Sequence, residues 1–84
     1  MGEIPFDYIG GNNMNNNQRV ISKTIYWFLN MGINKFSHNG VVVIKKHDYF
    51  ILRKGTKTGS YIPKDEDTVK TVANALAKII EEIQ

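Results

Sequence analysis

Hydrophobic positions along this chain change their spacing from segment to segment, and each change marks an element. Over residues 18–31, Ile21, Ile25, Phe28 and Leu29 recur at intervals of three and four, with Val20 and Trp27 beside that stripe. Arg19, Lys23, Tyr26 and Asn30 form the opposite, wetter face. The spacing predicts a helix with Asn17 as its N-cap and Gly32 as the glycine that closes its C-terminus.

Further on, the β-branched and aromatic runs Val41-Val42-Val43-Ile44 and Tyr49-Phe50-Ile51-Leu52 predict strands. Asn39-Gly40 is a strong two-residue hairpin signal, because a type I′ turn needs positive φ at both positions. It pairs residues 35–38 with residues 41–44. A second turn at His47-Asp48 returns the chain as residues 49–54. Gly55-Thr56-Lys57-Thr58-Gly59 then reads as a loop, and Ser60-Tyr61-Ile62 as a short fourth strand that Pro63 ends or confines to an edge.

The last stripe is continuous. Val69, Val72, Ala73, Leu76, Ile79, Ile80 and Ile83 make an amphipathic helix, and the acidic run Asp65-Glu66-Asp67 supplies charge and a capping aspartate at its start. Ahead of all this stand an apolar arm, Ile4-Pro5-Phe6-Asp7-Tyr8-Ile9, and a Gly/Asn-rich linker up to Asn17. Phe6, Tyr8 and Ile9 are apolar enough that the arm is expected to dock on this domain or on a neighbouring subunit. The expected organisation is therefore residues 1–17 as arm and linker and residues 18–84 as one domain. Its fold class is α+β: a small antiparallel meander of three to four strands, flanked by an N-terminal and a C-terminal helix packed largely on one face.

Turn geometry turns this pattern into two faces. Cross-strand partners share a face, and faces alternate along a strand. Two two-residue turns place Phe36, His38, Val41, Val43, Lys45, Phe50, Leu52 and Lys54 on one side. Lys35, Ser37, Val42, Ile44, Lys46, Tyr49, Ile51 and Arg53 fall on the other. The first side is the expected core. The second sets three aliphatics inside a ring of cations, a composition that marks contact with something. A three-residue turn at 47–48 would exchange the faces of residues 49–54.

Charge sharpens the picture more than composition does. The 84 residues carry a net charge of +3 and no cysteine. Within residues 19–64, nine cations face one acid, Asp48, whereas the last twenty residues hold five acids against Lys70 and Lys78. Such asymmetry points to a polyanionic partner for the middle of the chain. Lacking cysteine, the chain has no disulfide, zinc-thiolate site or thiol nucleophile. With no long apolar run and no leader-like N-terminus, it is expected to be cytoplasmic and free of the membrane.

No catalytic constellation can be assembled. His38 and His47 lie at or beside turns, and neither is given a nucleophile or a second acid by spacing. The Gly55–Gly59 segment fails the phosphate-loop pattern, which must open directly into a helix, but serves as a basic hairpin tip. The order helix, three strands, helix resembles the double-stranded-RNA-binding domain. Asp65-Glu66-Asp67 departs from that family, since it repels phosphate where the family is basic. Residues 40–80 resemble, in element order and basic strands, the three-strand-plus-helix DNA-binding modules of phage-type integrases. That resemblance implies contact with DNA through the sheet, with the helix behind.

The expectation is a non-catalytic binding protein that needs no cofactor, metal or small-molecule substrate. Lys35, Lys46, Arg53, Lys54 and Lys57 would contact nucleic acid phosphates, DNA or RNA, with Tyr49 stacking or packing. The competing class is a protein-interaction module, either a homodimer or a phage- or virus-type inhibitor or regulator of a nucleic-acid-handling protein. Val42, Ile44 and Ile51 are then its interface core, with Tyr49 beside them and the cations as rim.

Overall fold

A computed structural model describes residues 14–84. The apolar segment at residues 4–9 and the glycines of the linker lie outside the described residues. The element order is α1 (Asn16–Asn30), β1 (Lys35–His38), β2 (Val41–Lys45), β3 (Phe50–Lys54), β4 (Lys57–Tyr61) and α2 (Val69–Ile83). The four strands form one antiparallel sheet in the order β1-β2-β3-β4, an α+β meander between two helices.

Helix α1 begins two residues earlier than the sequence suggests. Asn15, not Asn17, is the N-cap: its side chain accepts the Gln18 N–H at 2.8 Å, while the Gln18 side chain accepts the Asn15 N–H at 3.1 Å. The reciprocity decides the position, because a cap at Asn17 would place Val20, which has no acceptor, at the third helical residue. The linker's last two asparagines therefore belong to the helix. At the other end Gly32 adopts φ 74°, its N–H reaches the Leu29 carbonyl, and the Ile33 N–H reaches that of Phe28. This is the glycine-terminated Schellman geometry that the sequence predicts.

Helix α2 also takes a different cap. Thr68 caps it, and Thr71 answers from the third position. An aspartate cap at Asp67 would face Lys70, which cannot accept a hydrogen bond. Instead Asp67 accepts the Lys64 N–H at 2.9 Å and the Tyr61 hydroxyl at 2.5 Å, closing the connection from β4 into α2.

The helices run antiparallel on a single side of the sheet. Gln18 meets Glu81 and Ser22 meets Asn74, so advancing along α1 means retreating along α2. Helix α2 lies over β3 and β4, while α1 packs along α2 and reaches the sheet where Phe28 stacks on Phe36 at 4.6 Å. Ile21, Ile25, Val41, Val43, Leu52, Leu76 and Ile80 are fully buried between the layers.

The reading of residues 55–59 as a loop is corrected. Only Gly55-Thr56 turns, with Gly55 at φ 62°, and Lys57 already pairs with Lys54 at the start of β4. Gly59 is a strand residue opposite Leu52 because α2 presses on it. A Cβ there would lie 2.9 Å from Ile79 Cγ2 and 3.2 Å from Ile83 Cδ1. Its glycine serves a close approach of helix to strand rather than a flexible tip.

Candidate nucleic-acid interface

Both inner turns contain two residues, which fixes the register of the first three strands. Asn39 (φ 53°) and Gly40 (φ 82°) carry positive φ, and Asn39 is the one non-glycine residue to do so among the described residues. This is the backbone that a type I′ hairpin requires. At the second turn the Lys46 N–H donates to the Tyr49 carbonyl at 2.7 Å across His47-Asp48. Lys35 therefore pairs with Ile44, Ser37 with Val42, Ile44 with Ile51, and Val42 with Arg53.

The outer face follows directly. Lys35 and Ser37 of β1, Val42 and Ile44 of β2, and Ile51 and Arg53 of β3 share it, with Lys46 and Tyr49 at the second turn. Val42, Ile44 and Ile51 form a half-buried aliphatic centre, and Lys35, Lys46 and Arg53 stand exposed around them. Strand β4 contributes the small polar margin Thr58 and Ser60, opposite Arg53 and Ile51. Since both helices occupy the opposite side, neither covers this face. Among the described residues it bears no carboxylate; the nearest in sequence, Asp48, sits in the turn beside His47.

The six residues anticipated as nucleic-acid contacts divide into two groups. Lys35, Lys46, Tyr49 and Arg53 share the outer face. From Tyr49 to Arg53 the strand spans about 13 Å at ~3.3 Å per residue. Lys54 and Lys57 pair across the Gly55-Thr56 turn, and alternation turns them towards the helix side of the sheet. The Lys54 stem lies over the neighbouring hairpin turn, its Cε 3.3 Å from where a Cβ on Gly40 would be. They border the far end of the sheet rather than joining the outer cluster.

The histidines stay apart. His38 is half-buried at the end of β1, and His47 Nε2 lies 3.6 Å from Asp48 Oδ1 in an exposed turn. Among the described residues no group of three potential ligands converges on a metal-sized site. No helix is long and apolar enough to cross a membrane.

Two of the acids, Asp67 and Glu81, are engaged elsewhere. The Lys64 N–H and then the Tyr61 hydroxyl hold the Asp67 carboxyl below its ordinary pKa, and the same bond to Asp67 is the main cause that pushes Tyr61 up to about 12. Glu81 accepts from Asn17, Asn15 and Gln18, which together lower its pKa and tie the end of α2 to the start of α1. A carboxylate at a helix N-terminus also meets the positive end of the helix dipole. Both carboxylates sit at the ends of the helical layer, away from the sheet's outer face.

A second surface escaped the sequence pattern. Val20 and Trp27 read as neighbours of the buried stripe, yet they are 60% and 68% exposed, with Met31 at 66%. Spacings of seven and four put Val20, Trp27 and the C-cap residue Met31 on one line, turned away from Ile21 and Ile25. The signal was present in that spacing, but an apolar residue next to a core stripe is ordinarily read as part of it.

Comparison with protein-family models, with curated proteins and with solved structures returns no match.

Proposed function

We propose that the protein is a non-catalytic binding module that grips a nucleic acid backbone with the outer face of its sheet. The observation that carries this reading is the bare face itself: Lys35, Lys46 and Arg53 surround an aliphatic centre that neither helix covers. Lysine and arginine take phosphates, and Arg53 can do so with two parallel hydrogen bonds. Tyr49, 40% exposed, is the one aromatic on this face among the described residues. A face with a single stacking group relies on phosphate contacts more than on base platforms.

The test is binding of random duplex and single-stranded oligonucleotides at two salt concentrations, with solution mass measured in parallel. Three phosphate contacts predict a slope of log affinity against log salt of about −2.7, at about −0.9 per contact on duplex. Absence of binding at low salt would sink the proposal. The double substitution Lys46→Glu/Arg53→Glu should abolish binding and leave the fold intact.

A second reading rests on a specific feature of the same face. Val42, Ile44 and Ile51 are adjacent across β2 and β3, as in the apolar centre of a protein interface with a cationic rim. A stable dimer, or a protein partner, combined with no oligonucleotide binding would favour it. Origin from a phage or virus and action as a regulator of nucleic-acid-handling proteins belong with this second reading.

A further inference from the structure

The helical layer carries a groove of its own, on a different surface from the sheet's outer face. It encloses about 510 Å³ and is lined by Ser22, Lys23, Tyr26 and Trp27 of α1 and by Lys70 and Asn74 of α2. That volume lies within the range of ligand-sized sites, about 300–1,000 Å³. Its chemistry is one-sided. Two ammonium groups flank two aromatic rings, and among the described residues no carboxylate lines it. The floor is polar: the buried Ser22 hydroxyl donates to Asn74 Oδ1 at 2.5 Å. Tryptophan and tyrosine are the side chains that most often anchor protein contacts.

We infer that this groove binds a short acidic, amphipathic segment of a partner protein, with apolar side chains against Tyr26 and Trp27 and carboxylates on Lys23 and Lys70. Charge complementarity selects the acidic partner, because among the described residues the groove offers cationic donors and no anion. The same distribution disfavours nucleic acid here. Asp65 and Glu66 stand exposed just before α2, close in sequence to Lys70, and Glu81 and Glu82 occupy the other end of the helix. A phosphate chain running along the helices meets carboxylates at both ends, whereas a peptide with its charge in the middle does not. The exposed line of Val20, Trp27 and Met31 extends the apolar contact along α1, as a helix laid into a groove requires. This inference is independent of the sheet-face proposal, since it uses other residues on another surface.

Trp27 is the chain's single tryptophan, so its fluorescence reports on the groove alone. The probe is a synthetic sixteen-residue peptide with leucines at helical spacing and glutamates confined to its two central turns. A second peptide, with lysines replacing the glutamates, and a duplex oligonucleotide complete the set. The full chain should show a saturable blue shift of Trp27 with the glutamate peptide and none with the lysine peptide. Lys23→Glu/Lys70→Glu should weaken binding by about tenfold or more, and Lys23→Ala/Lys70→Ala by less, with circular dichroism confirming that each variant is folded. No shift with the glutamate peptide at millimolar concentration overturns the inference. So does an equal response to both peptides, which would mean unselective apolar adhesion. An oligonucleotide that shifts Trp27 and is lost with the same lysine variants would assign the groove to nucleic acid instead.

Discussion

Val43 and Ile44 are neighbours in one strand and have almost the same chemistry, yet the protein uses them differently. Val43 is fully buried, pairs with Phe36 and Leu52, and lies beneath the helices. Ile44 pairs with Lys35 and Ile51 and is only half-buried, on a side that no helix covers. The same contrast holds for Leu52 and Ile51. One face of the sheet is devoted to folding. Among the described residues the other holds apolar surface without a covering layer, and that surface is bounded by cations. In a domain this small a second core is not affordable, and the proposed binding role draws on the face that the described residues leave open.

The largest expected effect comes from cutting into the covered face. Leu52→Ala should lose about 2–5 kcal/mol of stability in urea unfolding, because it leaves a cavity between β3 and α2. Ile51→Ala, one residue away, should cost about 1 kcal/mol or less. Equal losses would dissolve the distinction between the faces. The next effect tests the helix–sheet contact. Gly59→Ala should cost about 1–3 kcal/mol, since the new methyl group meets Ile79 and Ile83 and one of the layers must shift. A neutral result would place α2 farther from β4 than described. Thr68→Ala should remove about 1 kcal/mol through loss of the cap.

The smallest effects are electrostatic and set the pH response. Asp67 and Glu81 hold their protons less tightly when folded than their ordinary values of 3.8 and 4.5. As pH falls below those values, the unfolded chain takes up protons first. Their contribution is therefore complete at neutral pH and lost as pH falls through the folded values. Glu81→Gln should flatten the acid side of a plot of melting temperature against pH. Tyr61 behaves in the opposite sense. Its pKa is raised from 10.0 to about 12, so its contribution holds below 10.0 and fades as pH rises towards 12. Tyr61→Phe should remove that alkaline decline.

What the sequence made legible was whatever depended on local chemistry. Asn39-Gly40 announced its turn through positive φ, and His47-Asp48 is two residues long, so every pairing from Lys35–Ile44 to Val43–Leu52 followed from counting. Gly32 ended α1 as a helix-closing glycine should. The misreadings involve partners distant in sequence or competition among neighbours. Gly59 looked like a loop residue because the helix that presses on it lies about twenty residues further along the chain. Asn17 and an aspartate of the run 65–67 looked like caps because the residue type was right, but the caps are Asn15 and Thr68, whose third helical residues, Gln18 and Thr71, can answer them. Trp27 was read only as a neighbour of the buried stripe, and its exposure of 68% was not legible from that position. Of the candidate interface, Lys35, Lys46, Tyr49 and Arg53 were grouped correctly by alternation. Lys54 and Lys57 were included for their charge and lie towards the helix side.

Methyl-detected NMR during addition of a short oligonucleotide to the intact protein tests the central claim most directly. The methyl groups of Val42, Ile44 and Ile51 report on the open face, and those of Val41, Val43 and Leu52 report on the covered one, strand for strand. The account predicts that the first set shifts in proportion to bound oligonucleotide, that the second stays in place, and that Lys46→Glu/Arg53→Glu cancels the response. Shifts confined to the covered face or to the helices, or none at all at low salt, would contradict it.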